Sequence, residues 1–120
     1  MNAAAFQKSE ALQRLENYSS VVVEHLALLT WFGDSSASSH WQVEINAFVK
    51  TLRRYDKGKK RKHNFKTDDI IDALMDQVHT NDDKDAVLIG IEGHGVKAPE
   101  DPAWEDLYKA FEEFAQKVLS

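Results

Sequence analysis

Val21-Val-Val-Glu-His-Leu-Ala-Leu-Leu-Thr-Trp-Phe32 decides how this chain is built, because nine of its twelve residues are apolar. A helix on the surface of a globule shows one apolar stripe, whereas a helix apolar almost all round is covered on several sides. The stretch is too short to span a bilayer and is interrupted by Glu24 and His25. Residues 21–32 therefore read as the central helix of a globular core, against which later segments pack.

Working outward, residues 3–32 form one long predicted helix. Leu12, Leu15, Val22, Leu26 and Leu29 recur at helical spacings, with Tyr18 or Ser19 filling the gap. Gly33 stands where a C′ glycine ends a helix. Residues 34–39 read as a loop. Ser39 with Gln42 makes a capping-box pattern, and Trp41, Ile45, Phe48 and Leu52 form one face of the next helix. After a basic loop over 55–66, Thr67 is the predicted cap of a third helix, with Ile70, Ile71, Leu74, Met75 and Val78 on its apolar side. Residues 86–91 (Ala-Val-Leu-Ile-Gly-Ile) fit a buried strand or a short buried helix. A strand would lack a partner among helical neighbours, and Asn81 followed by Asp82, Asp83 and Asp85 resembles a helix start, so helix is preferred. Asp101 as cap and Pro102 at the first helical position open the last helix, whose apolar residues are Trp104, Leu107, Phe111, Phe114 and Val118. The expectation is an all-α bundle of about five helices forming one domain over residues 1–120.

Composition narrows the function classes. A chain of 120 residues buries roughly 65–68% of its unfolded surface, enough for a core without metal or disulfide staples. There are no cysteines, so thiolate chemistry and disulfides are excluded, and the N-terminus shows no basic, then long apolar, signal-peptide pattern. A cytoplasmic location is expected. The net charge of −5 conceals an asymmetry: residues 50–66 hold nine of the fifteen basic residues and a single acid, Asp56. That segment carries +8 and leaves −13 for the remainder. An acidic body disfavours broad nucleic-acid coating, while the basic segment suits one local anionic contact.

The candidate contact residues are Arg53, Arg54, Lys57, Lys59, Lys60, Arg61 and Lys62. Such a tract docks on an acidic protein surface or neutralises phosphates, and it also occurs as an ordinary solvated loop. Only Tyr55 and Phe65 flank it, a thin supply of aromatic stacking platforms. His40 and Glu44 share a helix face but lack the further ligands that a metal site needs. His79 among Asp76, Asp82 and Asp83 has no ordered calcium-loop pattern, and acids capping a helix account for it. Residues 90–95 (Gly-Ile-Glu-Gly-His-Gly) match no phosphate-binding motif and read as a helix stop, with His94 exposed and movable. No nucleophile elbow or acid–base constellation is present, so neither catalytic residues nor a cofactor or metal is expected.

His25-Leu-Ala-Leu-Leu-Thr-Trp31, then His40-Trp41 and Ile45, resembles the core of a family of small all-helical bacterial proteins of unknown function, common in cyanobacteria. Pro99-Glu-Asp-Pro-Ala-Trp104 resembles that family's Pro-rich, Trp-containing stretch. The basic loop and the Gly-His-Gly segment depart from it. The resemblance implies an all-helical fold and no mechanism. The functional expectation is a non-catalytic interaction or regulatory module that binds a protein partner or itself. The alternative is a nucleic-acid-associated accessory protein contacting phosphates through residues 57–62. Glu24 and His25, inside the apolar stretch, are the place to look for a polar site if buried.

Overall fold

The structure, a computed structural model, describes residues 10–57 and 63–120. Five helices and no strand lie among them: α1 (Glu10–Phe32), α2 (Ser38–Lys57), α3 (Thr67–Met75), α4 (Asn81–Glu92) and α5 (Trp104–Leu119). A 3-10 turn, Asp76–Val78, continues α3. The first residues of the expected N-terminal helix, 3–9, lie outside the described residues.

α1 is the hub, in contact with each of the other four helices. Val22, Val23, His25, Leu26, Ala27 and Leu28 are all buried, because neighbours approach from every side of this part of the helix. Val21 is 41% exposed, while Leu29, Trp31 and Phe32 are half-buried. The covers are those the spacing predicts: Trp41, Ile45 and Leu52 from α2, Ile70 and Leu74 from α3 with Val78, and Leu107, Phe111 and Phe114 from α5. α4 adds Val87 and Ile91, which settles residues 86–91 as helix. Ser19, on the buried side of α1, donates to the Glu16 carbonyl at 2.7 Å and accepts from Gln77 at 3.2 Å. No described buried side-chain nitrogen or oxygen is left without a partner, as close packing in a low dielectric requires.

Several predicted boundaries move, each for a hydrogen-bonding reason. Gly33 has no positive φ; among the described residues only Gly95 does, at 87°. α1 instead stops on a turn in which the Ser35 amide donates to the Phe32 carbonyl. α2 begins one residue before Ser39. The amides of His40 and Trp41 both donate to the Ala37 carbonyl, and Gln42 pairs with Asn46 rather than closing a capping box. α3 is capped at Lys66, whose amide donates to the Asp69 carboxylate at 2.7 Å, so Thr67 is already helical. At α4 the cap is Thr80 rather than Asn81. Thr80 Oγ1 accepts from the Asp83 amide at 3.0 Å, and Asp83 accepts from the Thr80 amide at 3.2 Å, a reciprocal capping box. α5 starts at Trp104, with Ala103 as cap in place of Asp101. There the Trp31 indole N–H donates to the Ala103 carbonyl at 3.2 Å, and the Trp31 and Trp104 rings meet edge-on at 5.1 Å. The Ala103 carbonyl, which takes the Asp106 and Leu107 amides of the first turn, is thus also tied to α1.

Candidate functional site

The basic segment is built on its single acid. The last carbonyls of a helix lack intrahelical partners, and a carboxylate there opposes the macrodipole. α2 nevertheless runs through Tyr55 and Asp56 to Lys57, past the point where the sequence places a loop. The returning chain supplies the missing partners. The Asn64 amide donates to the Asp56 carbonyl at 2.9 Å, and the Asn64 side chain donates to the Tyr55 carbonyl at 3.2 Å. The Asp56 carboxylate is fully buried. It accepts the Phe65 amide at 2.8 Å and the Nδ1–H of His63. Phe65, itself buried, pins the return to the core. On the other side, the Arg14 guanidinium of α1 lies over the Tyr55 ring at 5.5 Å. The two ends flanking residues 58–62 are therefore held together at Asp56.

Of the predicted contact residues, Arg53, Arg54 and Lys57 are described and exposed. Lys59, Lys60, Arg61 and Lys62 lie outside the described residues. Arg53 has a structural bond set as well: its Nε donates to the Lys117 carbonyl at 2.8 Å and Nη2 to the Ser120 hydroxyl at 2.7 Å. It caps the open end of α5 and holds its charge beside Lys117. Between α2 and α5 lie two adjoining recesses of about 220 and 320 Å³ that share Lys117. The first is apolar at its base; Val49, Asn46, Lys50 and Arg53 line the second.

A second polar cluster joins α1 to the segment after α4. Glu24 Oε1 accepts from Nε2–H of His94 at 2.5 Å, with the two side chains 26% and 32% exposed. His94 is thus tied to α1, not movable as the flanking glycines imply. His25 is buried; its Nδ1–H donates to the Val21 carbonyl at 2.9 Å, and its ring meets His94 edge-on at 5.3 Å and Phe48 at 5.7 Å. Gly90 makes the approach possible, because a Cβ there would stand 2.6 Å from Glu24 Oε2. Glu24 and His25 stood out in the sequence as polar residues in an apolar run. Their partner His94, seventy residues on, and the role of Gly90 did not. The sequence reads Gly90 only as part of a glycine-rich helix stop, whereas it lies inside α4.

The remaining candidates take their plainer readings. His40 is exposed on the first turn of α2, and His79 sits 3.6 Å from Asp83 as a helix-end pair. Among the described residues no group of three or more His, Asp or Glu side chains is arranged to hold a metal ion. None of the described helices is long and apolar enough to cross a membrane. Comparison with family models, with curated proteins and with solved structures finds no match.

Proposed function

We propose that this chain is a small cytoplasmic interaction module, non-catalytic, that docks on an acidic surface of a protein partner through its basic segment. The observation that carries this reading is the Asp56 node. A fully buried carboxylate, two backbone-directed bonds from Asn64 and a buried Phe65 are spent on holding the ends of a six-residue basic stretch, 57–62. An incidental solvated loop does not need a buried charge at its base, since a buried charge is costly unless fully paired. The acidic remainder of the chain confines an anionic contact to this segment, which suits a local docking contact rather than broad coating of a nucleic acid. Kinship with the bacterial helical family, on residues 25–31, His40, Trp41, Ile45 and residues 99–104, belongs to the same proposal and brings no activity with it.

DNA and RNA binding measured against salt concentration, for the parent and for a variant with Lys59, Lys60, Arg61 and Lys62 changed to Ala, tests the choice of partner. A protein-binding module shows no nucleic-acid binding at physiological salt. Affinity falling steeply with log salt, with a shallower slope in the variant, replaces this reading with phosphate recognition. A strictly monomeric parent that captures no partner in crosslinking counts against the module altogether.

A further inference from the structure

α2 and α5 lie side by side and run in the same direction: Gln42 borders the recess that Ala110 and Glu113 also line, while Arg53 reaches Lys117 and Ser120. The groove between them changes character along its length. At the Gln42 end its base is Leu26, Leu29, Ile45 and Phe114, and the charges lining it, Glu113 and the shared Lys117, balance. At the other end Lys50, Arg53 and Lys117 surround Val49, and no carboxylate lines that recess. From Gln42 to Arg53 the helix advances by about 16 Å, roughly three turns. That is the span over which apolar side chains at i, i+4 and i+7 anchor one helix in a groove.

Charge selects the occupant and its direction. A helix carries partial positive charge at its N-terminus and negative charge at its C-terminus. The three cations Lys50, Arg53 and Lys117 suit the second, and Glu113, the one acid lining the groove among the described residues, lies at the end that suits the first. Extended peptides add to a sheet edge, and no strand exists among the described residues. Polyproline ligands need an aromatic-lined groove, whereas this base is three aliphatic side chains and one Phe. We infer that the α2/α5 groove receives an acidic amphipathic helix of the protein partner, with apolar anchors toward its N-terminal half and acids toward its C-terminal end at Lys50, Arg53 and Lys117. The inference rests on the reading of the chain as a protein-binding module and names the partner's chemistry.

The probe is a fluorescein-labelled helical peptide of about 14 residues, with leucines spaced four and three in its N-terminal half and glutamates in its C-terminal half. Its reversed-order counterpart has the same composition. Fluorescence anisotropy is read for the full chain, for Lys50→Glu/Lys117→Glu, and for the four-alanine variant at residues 59–62, each checked for parental circular dichroism. The forward peptide binds the parent, and the reversed peptide and the double-charge variant each bind at least about tenfold more weakly. Equal binding of the two peptide orders, or no binding of the forward peptide, overturns the groove assignment. So does loss of binding in the four-alanine variant alone with Lys50→Glu/Lys117→Glu unaffected; in that case the basic-segment module stands and the groove is not its docking surface.

Discussion

Replacing Asp56 by Ala removes the node that closes the basic segment, and its cost follows from the bonds around the carboxylate. The side chain is fully buried and accepts two hydrogen bonds, from the Phe65 amide and from His63. A hydrogen bond to a charged group contributes about 1.5–3 kcal/mol. After the substitution the Phe65 N–H has lost its acceptor, and Phe65 is only 2% exposed. The His63 side chain is 41% exposed, so solvent screening holds its share below about 1 kcal/mol. The expected loss is about 3 kcal/mol, a lowering of Tm by about 10–15 °C for a domain of this size. Asp56→Asn keeps an oxygen for the Phe65 amide and costs about 1 kcal/mol. His63→Ala costs less than that. Urea unfolding followed by circular dichroism measures all three, and hydrogen exchange at the Phe65 amide reads the local bond. A loss below about 1 kcal/mol for Asp56→Ala, or a His63→Ala loss as large as that of Asp56→Ala, refutes the node.

Other outcomes follow from single positions. Gly90→Ala gains helix propensity of about 1 kcal/mol but drives the new Cβ against Glu24. The stability gain therefore appears in full only in the Glu24→Ala background, and a thermal-melt double-mutant cycle shows the coupling. Gly95→Ala, with open space around it but φ at +87°, destabilises by about 1–2 kcal/mol through backbone strain alone, and Gly95→Asn by less. Phe111→Ala, at a fully buried position of α5, costs about 3–5 kcal/mol in urea unfolding. Ala103→Pro leaves the carbonyl that accepts from the Trp31 indole in place, so the Trp31 indole Hε1 resonance in the NMR spectrum keeps its position; Trp104→Ala removes the edge-on ring and shifts that resonance.

Helical periodicity in the sequence was enough for the number of helices, for the apolar faces of α2, α3 and α5, and for the hub role of residues 21–32. Each of these is set by which residues avoid water, and that property is local to the chain. Periodicity leaves the run 86–91 open; helix is preferred because its neighbours offer a strand no partner and residues 81–85 resemble a helix start, and the structure makes it α4. The helix ends were less legible. Ser39, Thr67, Asn81 and Asp101 are all good capping residues, yet the caps fall at Ala37, Lys66, Thr80 and Ala103. Capping depends on which donor meets which acceptor, and at α5 the amides of Asp106 and Leu107 meet the Ala103 carbonyl, with no side-chain cap.

The sites divide the same way. The chain's charge pattern by itself marked a basic segment with one acid in it, and the oddity of Glu24 and His25 in an apolar run. Only the tertiary structure made Asp56 the buried base of that segment, carried Arg53 to the end of α5, and brought His94 and Gly90 against Glu24. Hydrophobic burial reads out from nearest neighbours along the sequence. The partner of a buried charge is whichever group the packed helices bring within about 3 Å, and seventy residues of separation between Glu24 and His94 leave no trace of that in the sequence.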